Sequence, residues 1–355
     1  MFKLSLKSWA YLCYTLIFLL FASLFIEPLA AIGWSVFRSA LEQLVYLLRT
    51  VEVLQLSYYG WHFFWTAIIL LAICGYTLET IHNRKLRAKL IADDPSKAIP
   101  ISQQEVSELE AWLDDRALPY AAMTIGDTPP VDAHGSRIGG PAAFLPDAHW
   151  PISKNGKPMI FLTQINFSEM PKLPDYPETG LLQIFVDDGD SFGLDYDDYL
   201  ANGKKIIWHE APEKASLIIN PPNAPKAYSA FQSKDVWMEG RTITFKRGTM
   251  RPHWNNWTIF EKLEEFAHRP NEDQIIEQIF DGDARSEDYV GGYPRFTQDD
   301  IRSAEEYPDY DRVLFQMGSD DHVMWGDVGE AMFMIKREDL LARKFDNIIY
   351  SWDCH

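Results

Sequence analysis

The sequence predicts an α+β fold with mixed, mostly antiparallel sheets and an internal duplication, preceded by a two-helix transmembrane hairpin. Three observations carry this expectation. Two long uncharged runs lie within the first 90 residues. From Tyr120 onward, short β-type runs alternate with Pro, Gly and Asp clusters, and helical patterns are few. A Gly-Gly pair and a glutamine recur 24 residues apart, as Gly140 to Gln164 and as Gly292 to Gln316. The expected division is a membrane anchor over 1–90, a linker over 91–101 and an α+β domain over 102–355.

Taken in order, Ser8 to Ile26 is free of charge, and nineteen helical residues come close to the roughly 30 Å hydrocarbon thickness. Glu27-Pro28 closes the run. Trp61 to Ile81 forms the second expected span, opened by an aromatic belt at Trp61, Phe63, Phe64 and Trp65. Lys3 and Lys7 precede the first span, and Arg84, Lys85, Arg87 and Lys89 follow the second. Basic residues at both outer ends predict an inner-membrane location with both termini cytoplasmic. Between the spans, residues 36–56 carry apolar residues at helical spacing, and Arg49 and Glu52 disfavour a third crossing, so an interfacial helix is expected there.

Ser102 and Glu105 form a capping box, and the helix they start should run to about Arg116 with Val106, Leu109, Trp112 and Leu113 on one face. Pro119 should end it. Strands are expected at Met159–Ile165, Leu181–Val186, Lys205–Trp208, Ser216–Ile219, Arg241–Lys246, Val313–Met317, Ala331–Ile335 and Asn347–Trp352. Helices are expected at Ile259–Ala267, Glu272–Phe280 and Arg337–Arg343, with a turn at Thr297–Ala304. A duplication would set two equivalent loops about a pseudo-twofold axis, with a cleft between two half-domains.

The net charge of −18 is unevenly spread. Residues 1–90 hold eight Lys/Arg and four Asp/Glu, which leaves 25 against 47 for residues 91–355, a charge of −22. Such a domain excludes nucleic-acid binding through its overall field and favours a basic partner. The three cysteines, Cys13, Cys74 and Cys354, have no metal-site or disulfide spacing, which suits a reducing compartment.

Few residues spell out a chemistry. The acidic run from Asp187 to Asp198 invites a calcium reading, but Phe192 and Tyr199 fall where a regular EF-hand loop needs ligands. Only an irregular site built on Asp188 and Asp190 survives. His209-Glu210 is followed by Pro212 and does not open a zinc-protease helix. Neither a nucleophile elbow nor a Walker loop is present. The best constellation is Asp320, Asp321, His322, Trp325 and Asp327, with Arg295 and Gln298 expected nearby. Carboxylates beside a histidine could act as acid and base or hold a metal. The competing expectation is that they cap turns, that Arg295 pairs internally, and that His322 is exposed. Arg137 and Gln164 are taken as the first copy's counterparts of Arg295 and Gln316. Binding is accordingly assigned to Arg137, Gln164, Arg295, Gln298, Gln316 and Trp325.

Several stretches carry a resemblance. They are S-R-I-G-G-P-x-x-F-L-P-x-x-x-W-P over Ser136–Pro151, G-K-P-M-I-F-L-T-Q-I-N over Gly156–Asn166, G-L-L-Q-I-F-V-D over Gly180–Asp187, G-G-Y-P-R-F-T-Q over Gly291–Gln298, M-W-G-D-V-G over Met324–Gly329 and the terminal W-D-C over Trp352–Cys354. In this order, from about residue 105 to the C-terminus, the chain resembles the YwqG-like family of uncharacterised bacterial proteins. The resemblance implies a compact α+β domain, cytoplasmic as a rule, and carries over no catalytic residues or cofactor. The expected function is a membrane-anchored cytoplasmic binding domain of the immunity or inhibitory type, holding a basic protein partner and using no cofactor. The alternative is a hydrolase using His322, Asp320, Asp321 and Asp327 in the cleft.

Overall fold

The computed structural model describes residues 85, 89–189, 191–201, 203–222, 230–280 and 288–354. The chain divides into two compact units, one of residues up to Pro100 with His268–Pro270, the other of Ile101–Ala267 with Asn271–His355. In the smaller unit a 3-10 turn at Pro95–Ala98 is capped by Asp94, whose carboxylate accepts from the Ser96 N–H and hydroxyl at 3.0 and 2.7 Å. The Arg269 guanidinium donates to the Ile99 and Pro100 carbonyls, each at 2.9 Å.

The larger unit opens with helix α1 (Gln103–Asp114), where Ser102 and Glu105 complete both halves of the capping box and Val106, Leu109 and Leu113 are buried. Helices α2 (Lys234–Glu239), α3 (Phe260–Glu264), α4 (Glu272–Phe280) and α5 (Arg337–Leu341) are short. Val106, Leu109 and Leu113 pack with Ile259, Phe266, Ile275 and Phe280 in a satellite core.

Strands dominate the rest: β1 (Leu118–Ile125), β2 (Arg137–Ile138), β3 (Ala142–Phe144), β4 (Ile160–Asn166), β5 (Leu181–Val186), β6 (Lys204–His209), β7 (Leu217–Ile219), β8 (Arg241–Met250), β9 (Tyr289–Gly291), β10 (Arg312–Gly318), β11 (Glu330–Ile335) and β12 (Ile348–Asp353). Ten of them form one sheet in the order β12-β11-β10-β9-β1-β8-β2-β4-β5-β6, while β3 and β7 form a separate pair. Every pairing is antiparallel. The long central pairing runs from Leu118 opposite Met250 to Ile125 opposite Ile243.

The order is the same read outward from either side of that pair. Both halves bend at the same place, since the β4–β5 register shifts between Phe161 and Thr163 and the β10–β11 register between Val313 and Phe315. Each half also turns on two consecutive left-handed glycines, Gly139 and Gly140 (φ 56° and 74°) and Gly291 and Gly292 (φ 84° and 66°). Two such residues in a row turn the chain out of the strand and over the sheet, which side chains with a Cβ resist.

The sheet's two outer ends are joined across a seam, where β12 meets the 191–199 segment that precedes β6. The Tyr350 N–H donates to the Tyr199 carbonyl at 3.1 Å, the Tyr350 hydroxyl to the Phe192 carbonyl at 3.0 Å, and the Trp352 indole to the Ser191 carbonyl at 2.7 Å. On β6, Trp208 packs on Phe345, just before β12, with ring centroids 4.9 Å apart. The sheet is a nearly closed barrel. Strands β4, β5, β10 and β11 are buried on both faces. Leu162, Ile184, Phe315, Phe333 and Tyr350 belong to the main core, whereas Phe161, Phe185, Met332 and Met334 pack under outer layers headed by Phe144 and Phe296. Double-sided burial explains why the strands read as continuous apolar runs rather than alternating ones.

The expected fold is corrected on two counts. The α+β arrangement of several sheets with a cleft between half-domains gives way to one curled antiparallel sheet whose halves share the β1–β8 ladder. The transmembrane hairpin is also overturned: among the described residues no helix is long and apolar enough to cross a membrane. Helix α1, with 12 residues, reaches only about 18 Å against a roughly 30 Å core. The segments 8–26, 36–56 and 61–81 lie outside the described residues. The two-pass description and the inner-membrane location rested on that hairpin and are not supported by the described residues.

Substitution at the glycine turns tests this architecture. A Cβ at Gly139 would meet the Val236 carbonyl oxygen at 2.3 Å, whereas one at Gly156 (φ 74°) would meet nothing within 4 Å. Gly156→Ala should cost about 1 kcal/mol, the left-handed penalty alone. Gly139→Ala should cost at least twice that, read as the larger drop in midpoint in parallel urea melts.

Candidate functional site

The outer face of each half carries a buried polar cluster built on an equivalent glutamine. In the first half, Arg137 on β2 lies opposite Gln164 on β4, which lies opposite Gln183 on β5. Their neighbours Ile138, Ile165, Leu182 and Ile184 point into the barrel core, so these polar side chains point outward under the covering chain. All three are buried. The Gln164 amide nitrogen donates to the Ala133 and Gly135 carbonyls, both at 3.0 Å. That leaves its oxygen to accept from Gln183 at 2.8 Å, and Gln183 also donates to the Ala143 carbonyl at 2.8 Å. The Gln183 oxygen then faces His209 Nε2 at 3.2 Å, which must carry the proton. Burial holds the His209 pKa below its ordinary value of 6.5, with His134 nearby adding to the effect.

Arg137 is spent on backbone. Its guanidinium donates to the carbonyls of Gly135 at 3.1 Å, Pro141 at 3.3 Å, and Asp132. Burial pushes its pKa down to about 10, against the opposing pull of Asp132 and Glu169. Arg137 and Gln164 therefore hold the chain that covers β4 and β5, and do not present a free fork to a ligand.

In the second half, Gln316 on β10 pins the covering chain in the same manner. Its oxygen accepts from the Arg295 N–H at 3.1 Å, and its amide donates to the Arg295 carbonyl and to Glu330, each at 2.8 Å. The Arg295 guanidinium lies 3.8 Å from the other oxygen of Glu330, a buried residue. The N–H groups of Thr297 and Gln298 donate to the two oxygens of Asp353 at 3.1 and 3.0 Å, and the Gln298 amide to the Cys354 carbonyl at 2.8 Å. The structure also corrects the expected counterpart of Arg137. The residue opposite Gln316 is Tyr289, so Tyr289 and not Arg295 occupies the position of Arg137.

The histidine–carboxylate constellation lies on the β10–β11 loop. Asp320 accepts from the N–H groups of His322 and Val323 at 2.7 and 2.8 Å, a turn-capping geometry. Asp321 and Asp327 are exposed. Trp325 is fully buried in the core, edge-on to Phe192 at 5.3 Å, and its indole N–H has no acceptor among the described residues. Trp325 is thus part of the core and does not line a surface. Asp188 is half-buried, and Asp190 lies outside the described residues. Among the described residues no group of three or more His, Cys, Asp or Glu side chains could hold a metal ion.

The seam loop was not singled out in the sequence as a binding surface, though its acidic character was plain. Residues Asp195, Tyr196, Asp197, Asp198 and Leu200 face outward, with Tyr196 70% and Leu200 41% exposed. The loop is held at several points. Asp195 accepts from the Asp197 N–H at 3.0 Å, and Asp198 from the N–H groups of Leu200 and Ala201 at 2.9 and 3.1 Å. Tyr199 packs edge-on against Tyr307 at 5.9 Å, and the Lys204 ammonium donates to the Leu200 carbonyl at 2.8 Å. Burial pushes Lys204 down to about 8, against the pull of Asp198. Gln183, His209 and Glu330 were missed too. A lone glutamine inside L-L-Q-I-F-V was the available signal for the first.

Two outcomes follow. Gln183→Leu strands the Ala143 carbonyl, the Gln164 oxygen and the His209 N–H, and should cost about 3 kcal/mol in denaturant unfolding. Because the His209 pKa is lower folded than unfolded, its contribution is complete above pH 6.5 and declines as pH falls from there toward the depressed folded value. Stability measured between pH 7.5 and 5 should fall less steeply in His209→Gln than in the parent.

No curated protein matches the chain. A family model described as a domain of unknown function, DUF1963, matches residues 136–354, from the strand carrying Arg137 to the Cys354 that closes the barrel's last strand. The chain therefore belongs to the DUF1963 family.

Proposed function

We propose that this chain is a binding protein, of the YwqG-like kind within its family, that holds a basic protein partner in an immunity-type or inhibitory role. One observation carries the reading. The buried polar side chains Arg137, Gln164, Gln183 and Gln316 are engaged by the protein's own backbone, while a braced loop turns Asp195, Asp197 and Asp198 outward around Tyr196 and Leu200. Inhibition needs a complementary surface and no chemistry. Tyrosine and leucine among carboxylates supply an apolar centre with a charged rim, and the −22 charge of residues 91–355 steers a cationic partner toward it. The hydrolase reading through His322, Asp320, Asp321 and Asp327 draws less support, since the Asp320 carboxylate is engaged by its own turn.

The test is capture by the full chain from its native host, followed by titration of the retained protein. A basic partner held at one-to-one stoichiometry is expected. Its affinity should drop at least tenfold in the Asp195→Asn, Asp197→Asn, Asp198→Asn triple variant, and again on Tyr196→Ala. It should also weaken between 50 and 300 mM salt. A partner whose binding ignores both the triple variant and salt would refute the assignment.

A further inference from the structure

Strand β7 offers a second surface, of opposite character. It has one neighbour, β3, in a two-stranded sheet apart from the barrel, with Phe144 opposite Leu217 and Ala142 opposite Ile219. Among the described residues no strand pairs with its other edge. Leu217 and Ile218 are 37% and 44% exposed, and Leu145, just past Phe144 and alongside, is 46% exposed. The residues from Ala215 to Pro225 carry no charge, in a chain of net charge −18. Edge strands normally avoid this combination by placing a charge or a proline on the strand.

We propose that β7 pairs with β7 of a second copy of this chain, antiparallel about a twofold axis through Ile218. The sequence Ser216-Leu217-Ile218-Ile219-Asn220 is self-complementary in that register. Ser216 meets Asn220 of the second copy, Leu217 meets Ile219, and Ile218 meets itself, so polar residues face polar ones and apolar face apolar. Such a contact is isologous and closes on itself, giving a dimer and not a filament. Pro221 and Pro222 follow the strand, and Pro221, lacking an N–H, ends the ladder there. Two marginal two-stranded sheets become one sheet of four strands. The occupant is another copy because β7 is neutral where most of the acidic surface would repel one. Two short strands and Leu145 make a small contact, and the dimer is weak and reversible.

The position on the twofold provides the test. Ile218 is partly exposed, and its replacement leaves the barrel core intact. Sedimentation velocity of the full chain over a dilution series should show a concentration-dependent monomer–dimer equilibrium. Ile218→Lys and Ile218→Glu should each weaken it at least tenfold, because like charges then sit directly opposite one another. Mixing the two variants should restore association to at least the parent level. A parent that stays monomeric up to about 200 μM overturns the proposal. So does a parent-like dimer in either variant alone, or a mixture that stays monomeric while both variants melt as the parent does.

Discussion

The long ladder between β1 and β8 is the constraint on which the rest of the structure depends. Among the described residues it is where the two halves of the ten-stranded sheet share backbone hydrogen bonds side by side, and each half is laid outward from it in the same order. Once Leu118–Ile125 and Arg241–Met250 are paired, β9 and β2 must take the remaining edges. The glycine pairs that follow those short strands then turn the chain outward over its own half. The right-handed twist of an antiparallel sheet curls such an array until its outer strands approach. Here they meet through Tyr350, Trp352 and the 191–199 segment rather than through a β6–β12 ladder.

Strands β4, β5, β10 and β11, buried on both faces, need a lid on the outer surface of each half. The buried glutamines Gln164, Gln183 and Gln316 meet that need. Each presents a donor and an acceptor of the size of a peptide group, and each is used against main chain that would otherwise lie unsatisfied over an apolar sheet. The two halves part company in what stands next to the glutamine. The first half adds a neutral histidine, and the second adds Glu330 with Arg295 at its side. The second cluster sets a carboxyl group beside a guanidinium, and the first is a chain of amides ending in an imidazole. Both clusters draw their partners from within the fold.

The surface is divided in a corresponding way. The seam that closes the barrel is acidic and carries an exposed tyrosine, whereas β7 is neutral and aliphatic. The first matches the proposed basic partner in charge, and the second matches the proposed contact with another acidic copy.

Much of the local structure was legible in the residues. The capping box at Ser102, the apolar runs of β4, β5, β10 and β11, and the 24-residue spacing between glycine and glutamine all depend on neighbours along the chain. Strand β1 was hidden because Pro119 reads as a helix stop, although an antiparallel strand accepts a proline near its start. Strands β2, β3 and β9 are two or three residues long, too short for any periodicity to register. The roles of Arg137, Gln164, Arg295 and Gln316 were not legible either. A polar side chain inside an apolar run looks the same whether it awaits a ligand or a carbonyl. By itself the sequence determined that the chain is acidic, rich in short strands and built on a repeated spacing, since charge and periodicity are properties of the chain. Only the tertiary structure decided that one sheet nearly closes on itself and that its buried amides bond to covering backbone and to neighbouring polar side chains, because those facts rest on contacts between residues far apart along the chain.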